Sequence, residues 1–144
     1  MLKRGRIPPA FIDTGAFLAR YLSGDSCHLK SAAIWKKIAG EALFTSNHVL
    51  DETLTLLSRR AGNNFAADRA QNIYSSPALE ILFSSKEDEI AAIGIFRKYA
   101  DQNVSFTDCI SFVLMRRQGI KRAFTFGRHF AHAGFRAIGV EIES

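Results

Sequence analysis

A chain of 144 residues that is 47% hydrophobic and holds twelve phenylalanines can build one domain around its own core and is not a disordered segment. Nineteen Lys and Arg against fourteen Asp and Glu leave a net charge of +5, a modest excess that suits an anionic partner. No apolar run approaches the ~20 residues of a membrane span and the basic opening MLKRGRIPPAF lacks a signal-peptide core, so a cytoplasmic protein with no membrane partner is expected; Cys27 and Cys109 form neither a zinc-type pair nor a disulfide framework and are read as reduced and mostly buried.

Pro8-Pro9 separates a basic tail, residues 1–6, from a single domain over residues 7–144. Ala10-Phe11-Ile12 is a short apolar strand that ends at Asp13. Residues 14–22 read as a helix with Phe17, Leu18 and Leu22 on a common side. Gly24-Asp25-Ser26 is a turn, and Ser26 is placed to cap a helix running through Lys37. Ala42 to Thr45 forms a second strand. Ser46 caps the next helix, which runs to Arg60 with Leu50, Leu54 and Leu57 at helical spacing. Gly62-Asn63-Asn64 breaks that pattern, and a further helix spans about Phe65 to Tyr74.

Leu79 to Phe83 is a third strand. Ser84 with Glu87 makes a capping-box pattern for a helix to about Tyr99. Asp101-Gln102-Asn103 reads as a loop, and Ser105 with Asp108 marks another helix start, closed by Gly119. Ala123 to Phe126 is a fourth strand, Arg128 to Ala133 a short helix, and Ala137 to Val140 a fifth strand. This alternation predicts an α/β fold: a three-layer sandwich whose central parallel sheet of about five strands is flanked by helices.

Three acids stand where apolar runs give way to helices: Asp13 in FIDTGAF, Glu52 in VLDETLTLL and Asp108 in SFTDCISF. In open parallel sheets, ligands collect beyond the carboxyl ends of the strands. Carboxylates gathered there lose water and repel one another unless a cation or donors offset the charge. Oxygen-only ligands suit Mg²⁺ or Mn²⁺, which points to phosphate chemistry. Each acid has a plainer role. Asp13 can cap the first helix, Asp108 can favour a helix dipole, and Glu52 lies two positions off the buried side defined by Leu50, Leu54 and Leu57. Thr14, Ser46 and Thr107 read most simply as caps, and each can also orient a carboxylate. Asp101 is a loop residue that could join the acidic rim. His129 and His132 lack a third soft ligand and read as structural. The doublets Lys36-Lys37, Arg59-Arg60, Arg97-Lys98, Arg116-Arg117 and Lys121-Arg122 serve helix ends or a polyanion.

The segments FIDTGAFLA, SNHVLDETLTLL, DQNVSFTDCISFVLM and AFTFGRHFAHAGF resemble the successive motifs of a PIN domain. The resemblance is closest to the single-domain VapC-type toxins of bacterial toxin–antitoxin pairs. It runs from about Ile7 to Val140. It implies a PIN-like parallel five-stranded sandwich in which Asp13, Glu52 and Asp108 are the metal-binding catalytic acids for Mg²⁺ or Mn²⁺. It implies an endoribonuclease that leaves a 5′-phosphate and a 3′-hydroxyl, a cognate antitoxin covering the acidic groove, and a homodimer. The family commonly places a fourth acid in a TFD-type motif, where this chain has Thr125-Phe126-Gly127. Gly127 supplies no side-chain oxygen, so an alternative expectation is a weakened or inactive module that binds RNA or protein without cutting. Arg128, beside that position, and Arg116 and Arg117 are the expected RNA contacts. A phospho-acceptor receiver domain would need an aspartate after the third strand, where Phe83-Ser84-Ser85 stands.

Overall fold

The computed structural model describes residues 8–140; the basic tail and the last four residues lie outside the described residues. The chain alternates strands and helices in the order β1 (Ala10–Ile12), α1 (Thr14–Tyr21), α2 (His28–Ile38), β2 (Leu43–Ser46), α3 (Asn47–Ala61), α4 (Asn63–Ser75), β3 (Leu79–Leu82), α5 (Lys86–Lys98), α6 (Phe106–Gln118), β4 (Arg122–Phe124), α7 (His129–His132) and β5 (Arg136–Ile138). All five strands pair in parallel in the order β3-β2-β1-β4-β5. The five-stranded α/β sandwich expected from the alternation is the fold that forms.

Parallel strands covered on both faces need apolar side chains on both, and β1 is buried at every position. Phe11, Phe17, Phe112, Phe124 and Phe130 are fully buried among Ile12, Ile34, Leu50, Ile110, Leu114 and Met115. A phenylalanine cluster closes the β5 side: Phe112 meets Phe130 edge-on at 5.0 Å and lies against Phe135 at 5.6 Å. These contacts anchor α7 and β5 to α6.

Several boundaries differ from the reading of the sequence. The capping box belongs to Ser85 and Asp88, whose side chains exchange bonds with each other's backbone N–H; Ser84 instead donates to Glu89 at 2.9 Å. Helix α2 opens after Cys27 with no side-chain cap, because Asp25 bonds the Cys27 N–H at 2.8 Å and Ser26 is left out. Helix α4 begins directly after Gly62, at Asn63. Strands β4 and β5 each start one residue earlier and end two earlier than expected. Of Thr14, Ser46 and Thr107, only Ser46 acts as a cap, accepting from the Val49 N–H at 3.1 Å.

The sheet order places the site. From β1 the chain steps outward to β2 and β3, then returns to the other side of β1 for β4 and β5. The reversal opens a crevice beyond the carboxyl ends of β1 and β4, the usual ligand position in such sheets. Asp13 leaves β1 there, with its N–H bonded to the Phe124 carbonyl at 3.0 Å. Thr125 leaves β4 beside it. Gly139, just past β5, packs under this edge at φ 113°. A Cβ there would fall 2.4 Å from the Thr125 carbonyl oxygen.

Candidate active site

Asp13 is the focus of the crevice. Thr125, fully buried, donates its hydroxyl to Asp13 Oδ2 at 2.8 Å and accepts from the Gly127 N–H at 3.1 Å. The Asp13 carboxyl is pushed up from 3.8 to about 7. Burial is the main cause and the Asp108 charge the next, with Glu52 adding to them, against the lowering effect of the Thr125 and Thr14 bonds. The two other acids thus act on Asp13 electrostatically.

Glu52 is delivered by α3, one and a half turns beyond β2. Its Oε1 accepts the Thr14 hydroxyl at 2.6 Å, which ties α3 to the first turn of α1. Thr14 is buried and serves as an orienting donor, not as a cap.

Asp108 sits in the first turn of α6. Its N–H is capped by the Ser105 hydroxyl at 3.0 Å. Its Oδ2 meets His129 Nδ1 at 3.1 Å. Burial raises the Asp108 pKa; the His129 hydrogen bond and charge act against this, and Glu52 adds to the rise. Thr107 is the neighbour in that turn, and its carbonyl accepts from Ser111.

Asp101 is exposed in the turn before α6 and takes no part in the hydrogen bonds of the three acids. Arg128 is exposed and precedes α7, next to the histidine that holds Asp108. Arg116 donates to the Ala133 carbonyl at 2.8 Å and lies over the Phe135 ring, and Arg117 pairs with Asp88 at 2.7 Å. An RNA contact by either arginine has to compete with these bonds. Two supports of the site escaped the sequence reading: Thr125 and His129. A buried threonine directly after a strand, two residues before the empty acid position, was the available signal for the first. His129 reaches Asp108 across 21 positions, and no local pattern announces that.

Each carboxylate is drawn toward its own donor, and among the described residues no group of three or more His, Cys, Asp or Glu side chains is gathered tightly enough to cage an ion. The donor chemistry nevertheless fits a hard divalent cation. All three acids offer oxygen, and burial with neighbouring negative charge raises the proton affinity of Asp13 and Asp108. Gly127 leaves room for a fourth acid: a Cβ there meets only Thr125 Oγ1, at 3.8 Å. A separate cavity of about 570 Å³, walled by Phe17, Tyr21, Trp35 and Leu79, contains none of the acids.

A parallel sandwich with a buried acid just past its central strand, at the strand-order reversal, is the architecture of a PIN-type domain. The family model described as PIN domain matches residues 10–136, and the chain belongs to that family. It is similar to the 23S rRNA-specific endonuclease VapC20 of Mycobacterium tuberculosis, at 35% identity over 125 residues covering 87% of this chain and 94% of that protein. It is also similar to a VapC ribonuclease of Archaeoglobus fulgidus, 35% identical over 117 residues, 78% of this chain and 73% of that one. The crystal structure of Mycobacterium tuberculosis VapC20, described as a sarcin-ricin loop cleaving toxin, superposes with a TM-score of 0.83 at 33% identity, covering 91% and 98% of the two chains. DNA-bound VapBC from Salmonella typhimurium gives a TM-score of 0.66 at 14% identity over 92% and 98%, a likeness of fold alone.

Proposed function

We propose that this protein is a Mg²⁺- or Mn²⁺-dependent endoribonuclease of the toxin–antitoxin type. The observation that carries the reading is that Asp13, just past the carboxyl end of β1 and held by the Thr125 hydroxyl, lies within electrostatic reach of both Asp108 and Glu52. The two 35%-identical relatives named as RNA-cleaving enzymes support it.

Asp13, Glu52 and Asp108 would hold the cation. Once bound, a divalent ion makes water a better nucleophile and offsets charge building on the phosphate. Thr125, Thr14 and His129 fix the carboxylates so that little reorganisation is needed when a phosphodiester arrives. Asp13, with its raised proton affinity, would hold the cation only in its ionised form, so metal and proton would compete for it. Arg128 would meet the RNA backbone. No side chain need attack phosphorus. The substrate class is RNA, with a loop of 23S ribosomal RNA the first target to try, by analogy with the relative. A cognate antitoxin would cover the acidic crevice, with a basic side chain directed at the carboxylates. A homodimer is also expected, and light scattering of the purified protein measures it.

Purified protein incubated with ribosomal RNA and Mn²⁺ is expected to give discrete fragments with 5′-phosphate ends. Asp13→Asn and Asp108→Asn are each expected to lower the rate at least about a hundredfold. Cleavage that survives both substitutions would remove the acids from the chemistry.

Gly127 favours a second reading, a module that binds RNA or a partner without cutting. Mn²⁺ titration by calorimetry separates the two. RNA binding with neither ion uptake nor cleavage supports the module. Under the nuclease reading, Gly127→Asp raises ion affinity or rate, since the site accepts a side chain.

A further inference from the structure

A cavity of about 420 Å³ lies between the end of α5 and the loop into α6, walled by Ile93, Phe96, Arg97, Tyr99, Asn103 and Val104. Resting on the ribonuclease reading, we propose that this cavity is a stacking subsite for an unpaired base of the RNA strand that flanks the cut.

The cavity connects to the acids through a row of rings. Phe96 packs edge-on against Phe106 at 5.6 Å, and Phe106 meets the His48 ring at 6.2 Å. Phe106 opens α6 two residues before Asp108. His48 lies one helical turn before Glu52 on α3, and residues four apart share a helix face. The row therefore leads from the cavity to the helix face of α3 that carries Glu52. Its inner end is fixed, because Glu89 accepts from His48 Nε2 at 3.1 Å and from the Ser84 hydroxyl at 2.9 Å.

The lining suits a nucleotide more than a plain apolar ligand. Phe96 is 45% exposed and Ile93 46% exposed, so two large apolar side chains stay wet in the free protein. Arg97 beside them takes no part in the ion pairs among the described residues. An aromatic face next to a cation is what an unstacked base and its phosphate need, and such stacking tolerates any base. The Asn103 amide can both donate to and accept from a base edge. The backbone at Asn103 is left-handed, φ 57°, a conformation asparagine adopts more readily than most residues. The competing occupant is a second copy of the chain, which would cover Phe96 without using Arg97 or Asn103.

The test is binding of a fluorescent short single-stranded RNA of random sequence in EDTA, together with KM and kcat on ribosomal RNA in Mn²⁺. Phe96→Ala is expected to raise Kd and KM about tenfold with kcat kept. Phe96→Trp is expected to retain wild-type affinity, because it keeps the stacking face. Arg97→Gln is expected to weaken binding and to reduce the salt slope by about one. Unchanged Kd and KM in Phe96→Ala and Arg97→Gln, with cleavage intact in the wild type, overturn the subsite and leave the nuclease reading standing. Conversion of a dimer to a monomer by Phe96→Ala, with RNA affinity kept, assigns the face to a second copy and also overturns it. A wild type that neither binds nor cleaves RNA overturns both readings together.

Discussion

Asp13 binds its proton more tightly in the folded protein than in the unfolded chain, at about 7 against 3.8. Between those pH values the folded state carries more protons than the unfolded one. Stability therefore falls as pH rises through that window and does not recover above it. In chelator, the thermal midpoint is expected to be lower at pH 8 than at pH 5. Asp13→Asn should flatten this dependence and stabilise the protein at pH 8 by about 1–3 kcal/mol. Equal slopes in the two proteins would exonerate Asp13. Mn²⁺ should restore the wild type and release protons on binding, an effect calorimetry in buffers of different ionisation enthalpy detects. A second residue-scale test concerns Thr53, buried next to Glu52 with its hydroxyl unpartnered among the described residues. Thr53→Val is expected to stabilise the fold by roughly 0.5–2 kcal/mol in denaturant titrations, since a buried orphan hydroxyl costs more than a methyl group.

Among the elements, α5 shows how local patterns underdetermine structure. Ser84 with Glu87 and Ser85 with Asp88 both satisfy a capping spacing. The choice falls to Ser85 because Ser84 is engaged by Glu89, which itself reaches across to His48. Asp88 is then held from two sides, by the cap and by Arg117. Burial pushes the Asp88 carboxyl up, but the Ser85 bonds and the Arg117 charge outweigh it and hold it below 3.8. That stability is present above 3.8 and is lost as pH falls through the lower folded value. Ser85→Ala is expected to cost about 1 kcal/mol at neutral pH, read from the urea midpoint. The strands were legible because β1 is apolar throughout and β4 is apolar after Arg122, and their shortness explains the one- or two-residue errors at their ends. The donors were not legible in the same way. His129 to Asp108 and Thr125 to Asp13 are tertiary contacts, and only a strand order brings their partners together.

For the molecule as a whole, the chain reverses its strand order beside β1, and that single topological fact brings within electrostatic reach of Asp13 two acids that lie 39 and 95 positions further along the chain. Asp13 and Asp108 stood out in the sequence because one ends a buried run and the other lies in the first turn of a helix, whereas Glu52 lies inside α3. The sequence could not show what steers them, which depends on β4 lying against β1. The same topology gives Gly139 a task it could not have in isolation. The last turn of the described chain slides beneath the Thr125 carbonyl with no clearance for even one more carbon. Gly139→Ala should therefore lower the thermal midpoint and depress cleavage, while ion affinity per folded molecule falls as well because Thr125 is shoved out of line. In a blind selection for lost toxicity, position 139 should surface alongside the acids. It would be a bystander by chemistry, yet the floor on which they stand.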